Sequence, residues 1–453
     1  MISAFKKMFS IPQLKEKLIF TIMLLVLCRV GAYITVPGVN AEEVVKLFKF
    51  TAGGGQNLLQ LVDIFSGGAF AQMTVIALGV MPYISASILM QILMTLLPSL
   101  QREVRENPEA GKRKIGKGTR LLTLLLAVIQ SSVYAAYAMK INSTSPGIIV
   151  QELLNFQIGG YPWVFFLLVI LTMTTGTLLL MWMGEMITEK GIGNGVSLII
   201  TLGILSSFPS VLGNIIRQLN LDSQESGQLT FTSVAVLATF FVLILVGTIL
   251  LIQGQRNIPV QYARRMVGRQ EVQGGTANIP LKLNYAGVIP VIFASTFLMS
   301  IGWIAQLVGR EGFFEWVAGI FSPGSFTYLI VYSLLIIFFT YFWTTTQFHP
   351  EQIASDLKKN GAFIPGVRQG KPTQDYLEQS MNKIVLAGAL SLALIAILPT
   401  LVSKFLSVDA SISNFFGGTS LLILVGVVLD TMKQIESHLI MKRYDGFMTK
   451  GKY

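Results

Sequence analysis

The chain has 453 residues, 52% of them hydrophobic and only 13% charged, with a formal net charge of +11. A soluble globular domain carries about 25% charged residues, so the composition excludes one, and long apolar windows of about 18 residues or more predict a polytopic membrane protein. The lone cysteine, Cys28, excludes a disulfide framework and a thiolate metal site.

In chain order, the charged stretch from Lys6 to Lys17 leads straight into a full-length span, with no small-residue cleavage site, so no cleavable signal peptide is expected. The first residues, Ile2, Phe5, Met8 and Phe9, have helical spacing and read either as a helix on the membrane surface or as a frayed tail. Ten spans are placed, at approximately 18–36, 73–97, 119–138, 161–183, 193–216, 231–253, 285–307, 326–346, 383–402 and 415–435. This divides the chain into a cytoplasmic segment 1–17, a first half 18–217, an external hinge loop 218–230, a second half 231–436 and a tail 437–453.

Charges test the count. With the N-terminus inside, Arg102, Arg105, Lys112, Arg113, Lys114, Lys117 and Arg120 are cytoplasmic, as are Arg256, Arg264, Arg265, Arg269 and Lys282. External segments hold Lys46 and Lys49, then single residues at Lys140, Arg217, Arg310 and Lys404. That alternation follows the positive-inside rule and places both termini in the cytoplasm.

Residues 79 to 87, Gly-Val-Met-Pro-Tyr-Ile-Ser-Ala-Ser, match residues 287 to 295, Gly-Val-Ile-Pro-Val-Ile-Phe-Ala-Ser, at six of nine positions. The match falls in the second span of each half. With five spans per half, two repeats enter the membrane in opposite orientation. Each copy places a proline, Pro82 or Pro290, within an apolar segment, which predicts a kinked helix facing other helices or a cavity.

The histidines, His349 and His438, lie far apart without metal-ligand spacing, and no phosphate-binding loop, nucleophile elbow or HExxH motif is present. No catalytic residues, cofactor or metal are therefore expected. Two further classes are weighed. A secondary transporter with inverted repeats would need acidic or histidine ligands at membrane depth, and a membrane-embedded enzyme would need a catalytic constellation.

Arg29 is the one clear charge inside a span; it reads either as functional or as a snorkelling or carbonyl-bonded side chain. Glu185 and Asp430 fall near span ends. The run Leu58 to Val62 is too short to cross a bilayer and leads into Asp63-Ile64-Phe65-Ser66-Gly67-Gly68-Ala69-Phe70. It reads either as a re-entrant, plug-like element or as an ordinary external loop with a helical turn. Gly191, Gly193 and Gly195 surround Asn194 at the start of the fifth span and suit close helix packing. Two long loops, 254–284 and 347–382, carry ordered signals: helical character from Pro350 to Lys359, then a rigid turn from Gly361 presenting Arg368. Basic loop tips suit acidic or phosphate-rich partners.

Taken together, these residues closely resemble the SecY family, the main channel-forming subunits of the bacterial Sec protein translocase. The resemblance covers essentially the whole chain. It is carried by Phe65-Ser66-Gly67-Gly68-Ala69, Ala77 through Ser87, Gly184-Glu185 with Ile187-Thr188-Glu189, and Gly191 through Gly195. Later segments are Ile279-Pro280-Leu281-Lys282, Ala286 through Pro290, Gly361 to Val367, and Phe416-Gly417-Gly418-Thr419-Ser420.

The resemblance implies an all-α polytopic membrane protein of ten transmembrane helices in two inverted five-helix halves, with a short re-entrant plug helix at about 58–70. It implies a pore ring of Val80, Ile84, Val196, Ile200, Ile292 and Ile423, and a plug that includes Ile64, Phe65, Ser66, Gly67 and Gly68. Spans two and seven would form a lateral gate with Pro82, Ser85, Ser87, Asn194 and Pro290, where the polar groups are expected to bond between helices. Arg264, Arg265, Arg269 and Arg368 match docking loops for the SecA motor and the ribosome. Further implied partners are SecE and SecG in a heterotrimer, signal sequences, unfolded preproteins, membrane lipids, accessory Sec subunits and an insertase. The implied location is the bacterial cytoplasmic membrane. Asn278, His349 and Gln369, all in the cytoplasmic loops, depart from the family's usual histidine, asparagine and proline.

Overall fold

The computed structural model describes residues 11–45, 63, 65–97, 99–100, 104, 106–144, 146–155, 162–218, 231–262, 265–267, 270–272, 275–308, 319, 325–406 and 419–450. Helices α1 (Pro12–Gly31), α2 (Met81–Leu96), α3 (Pro108–Thr144), α4 (Gln151–Asn155), α5 (Trp163–Lys190) and α6 (Gly195–Gln218) make up the first half. The second half holds α7 (Phe231–Gln253), α8 (Ile289–Val308), α9 (Phe326–Gln347), α10 (Pro350–Lys359), α11 (Lys371–Leu406) and α12 (Thr419–Lys450). A helix falls on each of the ten expected spans; α4 and α10 are short additions.

Among the described residues, six of these helices are long and apolar enough to cross a membrane: α3, α5, α6, α7, α9 and α11. The other four fall short for identifiable reasons. Charges interrupt α1 at Lys15, Glu16, Lys17 and Arg29, and α12 at Asp430, Lys433 and Glu436. Length limits the others: α2 has 16 residues, and the described apolar part of α8 ends at Leu298. At 1.5 Å per residue α2 covers about 24 Å, short of a hydrocarbon core of about 30 Å.

The residues before α2 complete its path as turns, from Gly67 to Val80. Non-helical backbone inside an apolar bundle requires partners for its polar groups. It has them. Val36 N–H donates to the Met73 carbonyl at 2.9 Å, and Val75 N–H to Ile34 at 2.8 Å. The hydroxyl of Tyr134, on α3, donates to the Phe70 carbonyl at 2.8 Å. Ala69, Phe70, Met73, Thr74 and Ala77 are all buried.

The kink expectation is corrected here. Pro82 and Pro290 are each the second residue of their helix, α2 and α8. Neither lies mid-helix. In the first turn an N–H has no intrahelical acceptor, so a proline removes nothing and presets φ. The apolar segment made the proline look internal, because hydropathy does not distinguish buried turn from buried helix. Interior prolines occur instead at Pro209 of α6 and Pro399 of α11.

The halves repeat one packing scheme. In the first, α1 lies against α5 and α6, α2 against α3, and α3 against α5. In the second, α7 lies against α11 and α12, α8 against α9, and α9 against α11. Across the halves, equivalent helices meet: α2 packs on α8, and α6 on α12.

Several helices overrun their expected spans on polar residues, among them α1 from Pro12, α3 from Pro108, α5 to Lys190, α11 from Lys371 and α12 to Lys450. Lys, Glu, Gln and Arg are good helix formers, so the helix continues where hydropathy stops. The long loops also contain strands: β1 (Gln255–Tyr262), β2 (Arg265–Val267), β3 (Gln270–Val272), β4 (Thr276–Lys282) and β5 (Ala362–Phe363). β1 pairs antiparallel with β4, Ile258 opposite Ile279, and with β5, Gln261 opposite Phe363. Ile258, Val260, Leu281, Ala362, Ile364, Leu377 and Met381 share a small core, so the two loops fold as one body.

Candidate functional site

Of the expected plug, residues 58–62 and Ile64 lie outside the described residues. Asp63, Phe65 and Ser66 are helical, and Gly67 and Gly68 reverse the chain in the left-handed region, at φ +67° and +86°. Side chains cap this short helix. Gly68 N–H donates to the Asp63 carbonyl at 2.9 Å, Ala71 N–H to Asp63 Oδ1 at 2.7 Å, and Phe70 N–H to Ser66 Oγ at 3.0 Å.

The turn is seated between α1 and α6. A Cβ on Gly67 would stand 2.8 Å from Gly203 Cα, 2.7 Å from Ser206 Oγ and 3.0 Å from Arg29 Nη1. Arg29 Nη1 donates to the Gly67 carbonyl at 2.7 Å. The carbonyl contact expected as one reading of Arg29 is present, and the carbonyl belongs to the turn of the expected plug. Phe70 meets the ring of buried Tyr134 edge-on, with centroids 4.9 Å apart. Tyr134 and Ser206 were not singled out in the sequence. A tyrosine in the middle of the third span is the one signal that pointed to the former.

Val80, Ile84, Ile200, Ile292 and Ile423 are buried in a single apolar cluster, and Val196 packs against it. The cluster includes Phe65, Ala69 and Phe70 of the plug segment. That cluster forms most of the apolar interior of the two halves, so membership in it does not by itself set these six side chains apart as a ring. The same backbone pattern launches α2 and α8. Met81 N–H donates to Leu78 at 3.4 Å and Ile289 N–H to Ala286 at 3.3 Å; Ile84 N–H donates to Val80 at 3.0 Å and Ile292 N–H to Val288 at 3.2 Å.

The polar residues of the expected gate make no bonds between helices among the described residues. Asn194 Oδ1 accepts from Ser197 N–H at 3.3 Å and so caps its own helix, α6. Ser87 Oγ accepts from Gln91 Nε2 on the same helix at 3.3 Å. Ser85 Oγ is buried without a partner. The glycine-rich turn before α6 packs closely, as expected. Gly195 approaches the Gly184 carbonyl too tightly for a side chain, Ile192 N–H donates to Thr21 Oγ1 at 3.1 Å, and Gly193 N–H to Gln434 Oε1 at 2.9 Å. This turn ties α1, α5 and α12 together.

On the body formed by the two long loops, Arg368 is exposed in a turn fixed from several sides. Thr373 Oγ1 donates to the Arg368 carbonyl at 2.7 Å, and Gln369 Nε2 to the Ala362 carbonyl at 3.1 Å. Gly366 and Gly370 flank it at φ +84° and +92°. Arg265 begins β2 of a two-stranded hairpin, opposite Val272 of β3. Arg264 and Arg269 lie outside the described residues. Arg120, within α3, and Glu185, in the last two turns of α5, pair at 2.8 Å. Arg120 is exposed and Glu185 half-buried, so solvent screening makes the pair a weak contributor to stability.

Comparison with known proteins is consistent along the whole chain. The SecY family model matches residues 74–432. The protein translocase subunit SecY of Chlamydia trachomatis is 57% identical over 448 residues, covering 99% of this chain and 98% of that protein. The Streptomyces galbus protein of the same description is 42% identical over 455 residues, covering 99% and 100%. Among solved structures, a protein conducting channel superposes with a TM-score of 0.62 at 18% identity, covering 93% of this chain and 91% of that one. Sec61 of the canine ribosome-channel complex superposes with a TM-score of 0.58 at 16% identity, over the same shares.

Proposed function

The chain belongs to the SecY family, and from that membership we propose that it is the conduit of a protein translocase, closed at rest by its plug segment and aliphatic ring. One observation supports this reading: Val80, Ile84, Ile200, Ile292 and Ile423, with Val196 packed against them, and the residues Phe65, Ala69 and Phe70 of the expected plug all belong to the apolar interior shared by the two halves, within which α2 contacts α8. A narrow apolar constriction dewets when empty and holds no fixed charge on which a polypeptide would stall. Unfolded chains then pass through the ring, and hydrophobic segments leave between α2 and α8 into lipid.

The structural domains of this reading are a first half over 18–217 and a second over 231–436, and the matching packing of the two halves supports it. Force comes from partners. Arg368, exposed in its fixed turn, and Arg265, the first residue of β2, belong to the two long loops and suit docking by SecA and the ribosome, with SecE and SecG completing the complex. The dense Lys and Arg of alternate connecting segments support an orientation with both termini on the cytoplasmic side of a bacterial membrane.

The test is site-specific photocross-linking from residues 80–84 to a stalled secretory nascent chain. Cross-links that require the translocating chain support the conduit. Their absence while the chain is demonstrably engaged removes these residues from the path.

A further inference from the structure

An arginine inside a span is costly unless its donors are satisfied, and such residues are functional by default. Among the described residues Arg29 has no carboxylate partner. Its guanidinium donates to the Gly67 carbonyl at 2.7 Å, approaches the Tyr33 hydroxyl at 3.4 Å and lies 5.0 Å over the Tyr33 ring. Tyr33 thus holds the guanidinium from one side, and the plug turn receives it on the other.

The Gly67 carbonyl follows the last helical residue of the plug, where carbonyls lose their intrahelical donors. Ser206 Oγ lies 3.3 Å from the same carbonyl, but a serine has one proton, and its shorter contact, 2.7 Å, is to Gly203. Arg29 is therefore the principal donor to this carbonyl. Beside the contact is a cavity of about 30 Å³ lined by Arg29, Ser66, Gly79 and Val80 among others, so the arginine, the plug and a ring residue border one space.

We propose that Arg29 is a positioning residue of the seal, latching the plug turn through the Gly67 carbonyl when the channel is at rest. The idea rests on the channel reading above. Because the latch binds backbone, it fixes where the turn sits without depending on a side chain at position 67. Displacing the plug breaks a charge-assisted hydrogen bond and leaves the guanidinium over Tyr33.

The test uses the translocase complex reconstituted in proteoliposomes and planar bilayers. In a Cys28→Ala background, Ser66→Cys reports plug position through its reaction with a membrane-impermeant maleimide. Arg29→Met should raise both the labelling rate and the resting ion conductance about tenfold, the size expected for one charge-assisted hydrogen bond. Thermal unfolding should stay near that of the parent, since a merely structural role would lower it without exposing position 66 selectively. Ile84→Glu serves as a separate control on the ring. If Ile84→Glu leaks while Arg29→Met labels and conducts like the parent, the latch is wrong and the channel reading stands. If neither variant leaks, both are wrong. Should Arg29→Met fail to accumulate, Tyr33→Leu replaces it, at a position 64% exposed. Loss of its cation–π support should raise labelling by about two- to fivefold. Parental labelling in that variant overturns the proposal.

Discussion

Gly79 and Gly287 hold the same left-handed backbone, at φ +58° and +61°, and each stands two residues before a helix whose second residue is proline. The repeat in sequence is thus a repeat in local structure: a glycine turn, then a preset helix start, then an isoleucine whose N–H returns to the valine four residues earlier. The two starts belong to helices that pack on each other, α2 and α8.

This has a consequence for Pro82. An interior proline costs a helix about 3 kcal/mol, and its replacement by alanine would stabilise the protein. At the second position there is no such strain, and proline restricts the unfolded chain, so Pro82→Ala should lower stability slightly, by less than about 1 kcal/mol. Thermal unfolding in detergent distinguishes the two by sign. A rise in Tm would restore the kinked-helix reading.

The ring makes a stronger demand. A carboxylate in an apolar constriction retains water, and a hydrated ring conducts ions. Ile84→Glu and Ile292→Glu should each raise resting conductance in planar bilayers, by an order of magnitude or more, while isosteric Ile84→Leu leaves it near the parent. A parental seal in both glutamate variants would remove the ring from the barrier.

Several of these features were legible in the sequence, for physical reasons. Hydropathy put an expected span on each of ten helices, six of which carry among the described residues the long apolar run that burial in lipid demands. Pro350 to Lys359 was read as helix and is one, since its polar residues are amphipathically spaced. Helix ends were not legible where α3, α11 and α12 continue on charged residues, since solvated helix has no hydropathy signal. The sheet had a signal that length and basic charge obscured: Ile258 and Val260 alternate with polar neighbours, as do Ile279 and Leu281. The Arg29–Gly67 contact had none. A backbone carbonyl carries no side-chain identity, so only the fold reveals which arginine meets it.

On the proposed channel reading, Asp63 is expected to make the seal sensitive to pH. It lies outside the ten spans, and burial raises its carboxyl from 3.8 to about 6, partly opposed by the hydrogen bond from Ala71 N–H. Tyr134 is the titratable group that interacts with it, and Arg29 holds the neighbouring turn. A raised value means the seated plug binds the proton more tightly than a released, hydrated one. The stabilisation is therefore complete below about pH 4 and is lost as pH rises through about 6. Lowering external pH from about 7 to 5 should reduce resting conductance, and Asp63→Asn, which keeps the acceptor for Ala71, should abolish that response. A pH response that persists unchanged in Asp63→Asn assigns it to another group.

The proposed role of Arg368 can be tested separately from conduction. Its side chain is exposed, whereas its backbone is fixed by Thr373, and the neighbouring Gln369 is bonded to Ala362. Replacing the side chain should leave the turn intact. Arg368→Glu reverses a charge at the surface, where a change typically alters stability by no more than about 0.5 kcal/mol. It also places an acid where an acidic partner would approach, so binding should weaken about tenfold or more through repulsion. The expected result is reduced SecA-dependent transport into vesicles, with resting conductance and Tm at parental values. Arg368→Lys, which keeps the charge but loses the planar fork, should lie between the two. Full transport by the glutamate variant would place the motor's contact elsewhere on the cytoplasmic body.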